Sequence, residues 1–301
     1  MDRLEAMTIL LRVVDKGSFS AASRELGMPL ATVSRKVSEL ESHLGTRLLV
    51  RTTRKVALTD GGAAYVASAR RILDEIDETE RVAAGEFRVP RGELILTAPV
   101  FFGRLHVLPI VTEFLAAYPE INVRLLLSDR NLHLIEDHVD MAVRIGRLPD
   151  STIIATRVGS MRTVVCASPK LLARCGVPKT PEDLAGLPCV NFQFLSPTSA
   201  WPFRLKDAKG AADVPIRARL SVSTAEAAVW AATEGVGATR VLHYQCADAV
   251  GDGLLRIILA DFEVELLPVH LLHAGRVALP TKTRFFLDFA ADRIRGRLSS
   301  L

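Results

Sequence analysis

The sequence predicts an α/β chain in two unequal parts: a small all-α unit with a β-hairpin at 1–60, and a two-lobed α/β domain at 91–301. A long helix and a hinge at 61–90 join them. Three patterns carry this expectation. Apolar residues recur at helical spacing as far as Leu44. An apolar seam spaced 4-3-4-3-4 begins at Tyr65. From Glu93 onward, short β-branched runs alternate with helical stretches.

At 301 residues the chain is long enough for two cores, and 49% hydrophobic with 24% charged residues is the profile of a soluble globular protein. The net charge of +4 is small, but it is concentrated. Between Met28 and Thr59 stand Arg35, Lys36, Arg47, Arg51, Arg54 and Lys55, against Glu39 and Glu41 alone. Such a local positive patch is what phosphate binding requires. Asp2, Arg3 and Glu5 interrupt the segment where a secretion signal needs an apolar core, and no apolar run approaches the ~20 residues that span a bilayer. Cys166, Cys175, Cys189 and Cys246 show no metal-type spacing. A cytoplasmic chain with reduced thiols, no metal, no cofactor and no membrane contact is expected.

In the first unit, Leu4, Met7, Leu11 and Val14 give one apolar helical face, which Gly17 ends. Ser18 caps a second helix from Phe19 to Leu26, with Phe19, Ala22 and Leu26 inward, and Gly27 supplies a tight turn. Pro29 suits the first turn of a third helix, in which Ala31 or Thr32, Val33, Val37, Leu40 and Leu44 form the buried stripe up to Gly45. Thr32, Ser34, Arg35, Lys36 and Ser38 lie largely outside that stripe. Two short helices about a Gly turn, the second with a polar and basic outer edge, make a helix-turn-helix able to enter a major groove. Arg35 is then placed for guanine O6 and N7, Thr32 or Leu30 for a thymine methyl, and Ser34 and Lys36 for phosphates. From Arg47 to Leu58 the residues alternate as a hairpin wing with a basic tip, Arg51, Thr52, Thr53 and Arg54, able to straddle the backbone. Many trihelical units never touch DNA, so this geometry alone leaves a purely structural role open.

The run SFSAASRELGMPLATVSRKVSELESHLG from Ser18 to Gly45, followed by RLLVRTTRKVALTDGG, resembles the N-terminal domain of LysR-type transcriptional regulators. The layout of the rest of the chain is also similar to theirs. The resemblance implies a winged helix-turn-helix that contacts double-stranded DNA through Ser18, Ser20, Leu30, Thr32, Ser34, Arg35, Lys36 and the wing residues. Leu30 stands where many members carry Gln or another polar residue, which favours an apolar contact to thymine. It also implies a sequence-specific regulator, not an enzyme, controlled by a small-molecule effector, with RNA polymerase as a further partner.

Thr59 and Asp60 can cap a helix from about Gly61 to Ala84, along which Tyr65, Ala69, Ile72, Ile76, Thr79 and Ala83 form the seam. One apolar seam on a lone helix needs a partner, either its own domain or a second subunit. The resemblance implies the second, a homodimer paired through Tyr65, Ala69, Ile72, Ile76 and Ala83 and assembled as a dimer of dimers. Two recognition helices about one DNA turn (~34 Å) apart would follow. Gly85 to Gly92, with Pro90, reads as the hinge.

In the larger domain the expected elements are strands at Leu94–Ala98, Asn122–Leu127 and Met141–Ile145, with helices at Gly103–Tyr118 and near Leu132–His138. This βαβαβ order argues for a parallel sheet covered by helices. A second set follows: Thr163–Ala167, Pro169–Cys175, Cys189–Phe192, Leu220–Val222, the helix Thr224–Glu234 and Ala238–Arg240. Leu266–His273 and Thr281–Arg297 return the chain to the first lobe, giving lobe I at 91–161 and 268–301 and lobe II at 162–267. Two such lobes make a cleft like that of periplasmic binding proteins, which the resemblance also implies.

Ligands in such sheets sit beyond strand C-terminal ends, near helix N-termini. The candidate effector residues are therefore Pro99, Val100, Phe101, Phe102, Ser128, Asp129, Gly146, Phe192, Phe194, Ser223 and Thr224. Where the family often carries Ser or Thr, this chain reads Ala-Pro-Val-Phe-Phe, which shifts the expected effector toward an apolar or aromatic compound. No catalytic arrangement is legible. The seven histidines form no zinc-protease pair, and His270 and His273 fall on opposite faces of a strand. A transport-type binding protein would share the two lobes but not the basic N-terminal unit, and an enzyme would need a catalytic set the sequence lacks.

Overall fold

The computed structural model describes residues 1–51, 56–83, 89–130, 132–148, 153–204, 211–274 and 279–299. It divides into two compact units, Met1–Val89 and Pro90–Leu301.

In the first unit, α1 (Arg3–Lys16) starts where Asp2 accepts from the amides of Leu4 and Glu5 and stops at Gly17, which takes a φ of 62°. Ser18 accepts from the Ala21 amide to cap α2 (Phe19–Leu26), and α3 (Leu30–Leu44) follows Pro29. The core is Ala6, Ile9, Leu10 and Val13 of α1 against Ala22, Val33, Val37 and Leu40. Of the expected stripe Leu11 joins this core, while the rest of the buried face of α1 lies beside it. That helix carries two adjacent apolar stripes, and the one containing Ala6 is narrow enough for α3 to approach closely. Leu4, at the first turn, is 42% exposed, while Met7 and Val14 only flank the core. Leu44 is likewise exposed, because it lies in the last turn of α3, beyond the core.

The wing forms as an antiparallel pair, β1 (Leu49–Arg51) with β2 (Val56–Leu58). Glu41 ties it to α3 by accepting from the Leu48 and Leu49 amides at 2.8 and 3.0 Å. Then α4 (Asp60–Ala83) begins with the Gly62 amide donating to Thr59 Oγ1. Its start passes so close to the wing that a Cβ on Gly62 would lie 1.9 Å from the Leu48 carbonyl oxygen.

The second unit holds two five-stranded sheets. Sheet I, ordered β4-β3-β5-β14-β6, contains β3 (Gly92–Ala98), β4 (Ile121–Leu127), β5 (Met141–Ile145), β6 (Ile153–Met161) and β14 (Leu267–Ala274). Sheet II, ordered β11-β8-β12-β7-β13, contains β7 (Thr163–Ala167), β8 (Pro188–Phe192), β11 (Arg217–Val222), β12 (Ala238–Leu242) and β13 (Arg256–Ile258). Both are mixed. The βαβαβ core β4-β3-β5 is parallel, but β14 runs antiparallel to β5 and β6, and β7 antiparallel to β12 and β13. The reason is topological: the chain crosses between sheets at Arg162 and returns between Ile258 and Leu267, so the crossing strands enter from the opposite end. Arg162 grips Glu263 with two hydrogen bonds of 2.6 and 2.8 Å, clasping one crossing to the other.

Helices cover the sheets. In lobe I, α5 (Val100–Phe102) runs through a π-turn (Gly103–Val107) into α6 (Leu108–Ala117), and α10 (Thr281–Ser299) sets Phe286 edge-on to Phe114. The helix Val100–Ala117 spans 18 residues with a mean hydropathy of 1.5, yet it packs Phe102, Val107, Ile110, Val111 and Phe114 into the core of lobe I. In lobe II, α7 (Pro169–Cys175), α8 (Ala225–Thr233) and α9 (His243–Gly251) do the same, beside a hairpin of β9 (Ala200–Arg204) and β10 (Ala211–Pro215). The helix expected near Leu132–His138 is instead a single closed turn. Its amides return to the His133 and Leu134 carbonyls, and His138 takes a left-handed φ of 57° that stops propagation.

Two glycines test the close approach of α4 to the wing. Gly62→Ala should destabilise the protein by roughly 1–3 kcal/mol or more, because backbone must move. Gly61→Ala, with only Thr59 Oγ1 4.0 Å away, should leave stability unchanged or raise it by up to ~1 kcal/mol. Urea denaturation of the two variants reads the difference.

Candidate functional site

The outer edge of α3 is set by its inner one. Val33, Val37 and Leu40 are fully buried, which leaves Leu30 and Arg35 exposed, with Thr32 and Ser34 half-buried between them. The Arg35 side chain, 64% exposed, pairs with Glu39 one turn on at 3.2 Å, a pair weak enough to exchange for another acceptor. Lys36 differs from the expectation. Its ammonium turns inward onto Glu5 of α1 at 2.5 Å, with the side chain mostly covered, so it fastens α3 to α1 and does not face phosphate. The cause is angular: Lys36 lies beside Val33 and Val37, on the flank that α1 covers. Ser20 is exposed, whereas Ser18 spends its hydroxyl on the α2 cap. Thr52, Thr53 and Arg54 lie outside the described residues, as does the side chain of Arg51.

The seam on α4 divides. Ala69 is buried with Val66 in the first unit's own core, and Tyr65 and Leu73 pack partly against it. Arg70 forms an ion pair with Asp15 of α1. Two turns of the expected seam therefore serve the winged unit itself, while Ile72 remains 43% exposed and Ile76 half-buried. The Ala83 side chain is outside the described residues.

In the larger unit, a small open depression lies beyond the C-terminal ends of β3, β4 and β5 and is lined from lobe II by Phe194. Thr97, Ala98, Pro99, Ser128, Asp129, Arg130, Leu132, Val143, Arg144 and Ile145 form the rest of its wall. Of the expected residues, Pro99, Ser128, Asp129 and Phe194 are thus brought together. The Val100 amide donates to Asp129 Oδ1 at 3.0 Å, and burial nevertheless raises the carboxyl above the usual range, outweighing that bond. Arg144 donates to the Leu132 carbonyl, and burial lowers its proton affinity. Gly146, with a φ of 120°, donates to the Pro268 carbonyl. Ser223 is exposed, and Thr224 caps α8 through the Ala227 amide.

Phe102 and Phe192 correct the expectation. Phe102 is fully buried, its ring 4.7 Å from that of His106 and 5.8 Å from that of Tyr244, and Phe192 sits in the core of lobe II. Phe101 packs against Tyr244 as well, under the Arg104 guanidinium. Tyr244, from lobe II, fills the space these rings face, so they bind the lobes together and leave the depression polar. Sequence reasoning missed Arg144 and Tyr244. Arg144 was hidden in an apolar strand, and Tyr244 in a helix with no polar cap residue before it, since Gln245 caps the Leu242 amide instead. Cys166 and Cys246 are both fully buried, and the neighbouring Cys246 thiol together with burial pushes Cys166 well up.

Residues 4–63 match the family model described as bacterial regulatory helix-turn-helix protein, lysR family, and residues 87–295 match the LysR substrate binding domain. The chain belongs to the LysR family. This LysR-type regulator is 35% identical over 290 residues to an HTH-type transcriptional regulator of Xanthomonas campestris pv. campestris, covering 95% of this chain and 84% of that one. It is 34% identical over 298 residues to the regulator CrgA of Neisseria meningitidis serogroup C, covering 98% of each. The solved structure of CrgA aligns with a TM-score of 0.61 at 31% identity, covering 96% of this chain and 98% of that one. The full-length structure of the Vibrio cholerae virulence activator AphB aligns with a TM-score of 0.59 at 26% identity, covering 95% and 98%. The regulator therefore carries a DNA-binding helix-turn-helix and an effector-binding domain.

The two cleft-side phenylalanines should behave oppositely. Phe102→Ala should lose about 3–5 kcal/mol, as truncation of a buried aromatic does, whereas Phe194→Ala should stay within about 1 kcal/mol of the wild type. Equilibrium unfolding in urea separates them.

Proposed function

We propose that this LysR-type regulator reads double-stranded DNA with Leu30, Thr32, Ser34 and Arg35 on the outer edge of α3. The carrying observation is the contrast along that helix: three apolar side chains fully buried, and the exposed Arg35 guanidinium held by a surface pair with Glu39 that a base edge can replace. Ser20 and the wing supply phosphate contacts in this reading. Lys36 holds the helix in place through Glu5. Ile72 and Ile76 are the part of the α4 seam left for a second subunit, which would make the working form a homodimer with two recognition helices. A small-molecule effector binds in the depression lined by Pro99, Ser128, Asp129 and Phe194, in the cytoplasm. It acts by favouring one arrangement of the lobes, since a ligand shifts an equilibrium only by its difference in affinity for the two states.

On DNA selected by the protein from a random pool, Arg35→Ala should weaken binding by roughly 1–3 kcal/mol and relax one base position. Lys36→Ala should leave the salt dependence unchanged and lower stability instead. Fluorescence anisotropy over a salt series, with a urea curve for each variant, tests both. Ile72→Asp should release monomers at concentrations where the wild type sediments as a dimer in analytical ultracentrifugation.

A further inference from the structure

Arg240 stands in the middle of β12, inside lobe II, with 5% of its surface exposed. It lies on the same face of the strand as Ala238, which packs among Trp201, Phe203 and Val214. A guanidinium carries five N–H donors and a full charge. Among the described residues one bond is made, from Nη1 to Ser196 Oγ at 3.2 Å. The neighbouring amide is already committed: Asn191 donates to the carbonyls of Ser196 and Thr198 and accepts from the Trp201 indole. Among the described residues no carboxylate pairs with Arg240. Asp213 acts on it only at a distance, and burial brings its proton affinity down to about 10. A buried charge without a partner is strongly unfavourable.

Ser196, to whose hydroxyl Arg240 donates, is two residues along the chain from Phe194, which lines the lobe II side of the depression. The opposite wall carries Asp129 together with Arg130 and Arg144, so it presents both signs of charge to a ligand. A planar fork that has a single charge to offer suits a carboxylate, which it can meet with two parallel hydrogen bonds.

We propose that Arg240 is the counter-charge for a carboxylate on the effector, which enters beside Phe194 and reaches the guanidinium beneath the Ser196 loop. This rests on the reading of the depression as the effector site and adds the charge of its ligand. It adds a charge to the expectation of an apolar or aromatic effector, since Phe101 and Phe102 pack against Tyr244.

The test is the thermal midpoint of the full-length protein with acetate, benzoate and succinate, against benzamide and inorganic phosphate. At least one of the monocarboxylates should raise the midpoint, while benzamide and phosphate should not. In Arg240→Met the same shift should need roughly 10- to 100-fold more carboxylate, the range expected for losing a charged hydrogen bond. Without ligand, this variant should match or exceed the wild-type midpoint, because an unpaired buried charge is removed. Ser128→Phe, which blocks the lobe I wall, should abolish the shift too. If Arg240→Met loses the response and Ser128→Phe keeps it, Arg240 binds anions outside the depression, and the effector-site reading fails while the carboxylate partner stands. A shift retained in Arg240→Met, an equal shift with phosphate, or no carboxylate shift in the wild type would each overturn the proposal. The last, with a lowered ligand-free midpoint in Arg240→Met, would make the guanidinium a prop for the Ser196 loop.

Discussion

The small unit depends on one constraint: α3 must satisfy two surfaces at once. Its inner edge, Val33, Val37 and Leu40, is locked beneath α1 by burial and by the Lys36–Glu5 pair. A helix fixed in this way cannot rotate without exposing three apolar side chains, at about 1.5–3 kcal/mol each. The direction of Leu30, Thr32, Ser34 and Arg35 is therefore a consequence of core packing. Glu41 extends the same control to the wing by holding the amides of Leu48 and Leu49, and the tight passage at Gly62 extends it to α4. The outer edge of α3, the wing and α4 all take their positions from one small core.

The larger unit solves a different problem, keeping two lobes related while leaving space between them. The chain crosses between the sheets twice, and the Arg162–Glu263 clasp ties the crossings together. Tyr244 of lobe II is buried against Phe101, Phe102 and His106 of lobe I, and Arg104 meets Glu226 across the lobes at 3.3 Å. These contacts leave the polar depression under Phe194 as the space where a ligand would bear on both lobes. In the proposed mechanism, Arg240 makes that space selective through charge.

How much of this was legible depends on whether a residue's role is local. The glycine stops at 17, 27 and 45, the Ser18 cap and the helix Pro169–Cys175 follow from neighbours in sequence, and the chain shows them as read. Roles set by distant partners were not legible. Lys36 resembles a phosphate ligand until Glu5, 31 residues away, is seen beside it. The cleft phenylalanines resemble ligand contacts until Tyr244 arrives from the other lobe. Strands β9 and β10 contain Pro202 and Pro215, which argue against strands, and survive because they pair only with each other. The sheets were expected to be parallel because the crossing strands, β6 above all, carry polar residues and no clean alternation.

The account stands on the outer edge of α3 lying in a major groove, and methylation interference on duplexes bound by the wild-type protein tests that most directly. Methylating guanine N7, on the major-groove edge, should block binding at two clusters of positions about one helical turn, ~10 base pairs, apart. If major-groove methylation is tolerated throughout the bound site, and only minor-groove adenine methylation interferes, α3 is not the reading element and the account fails.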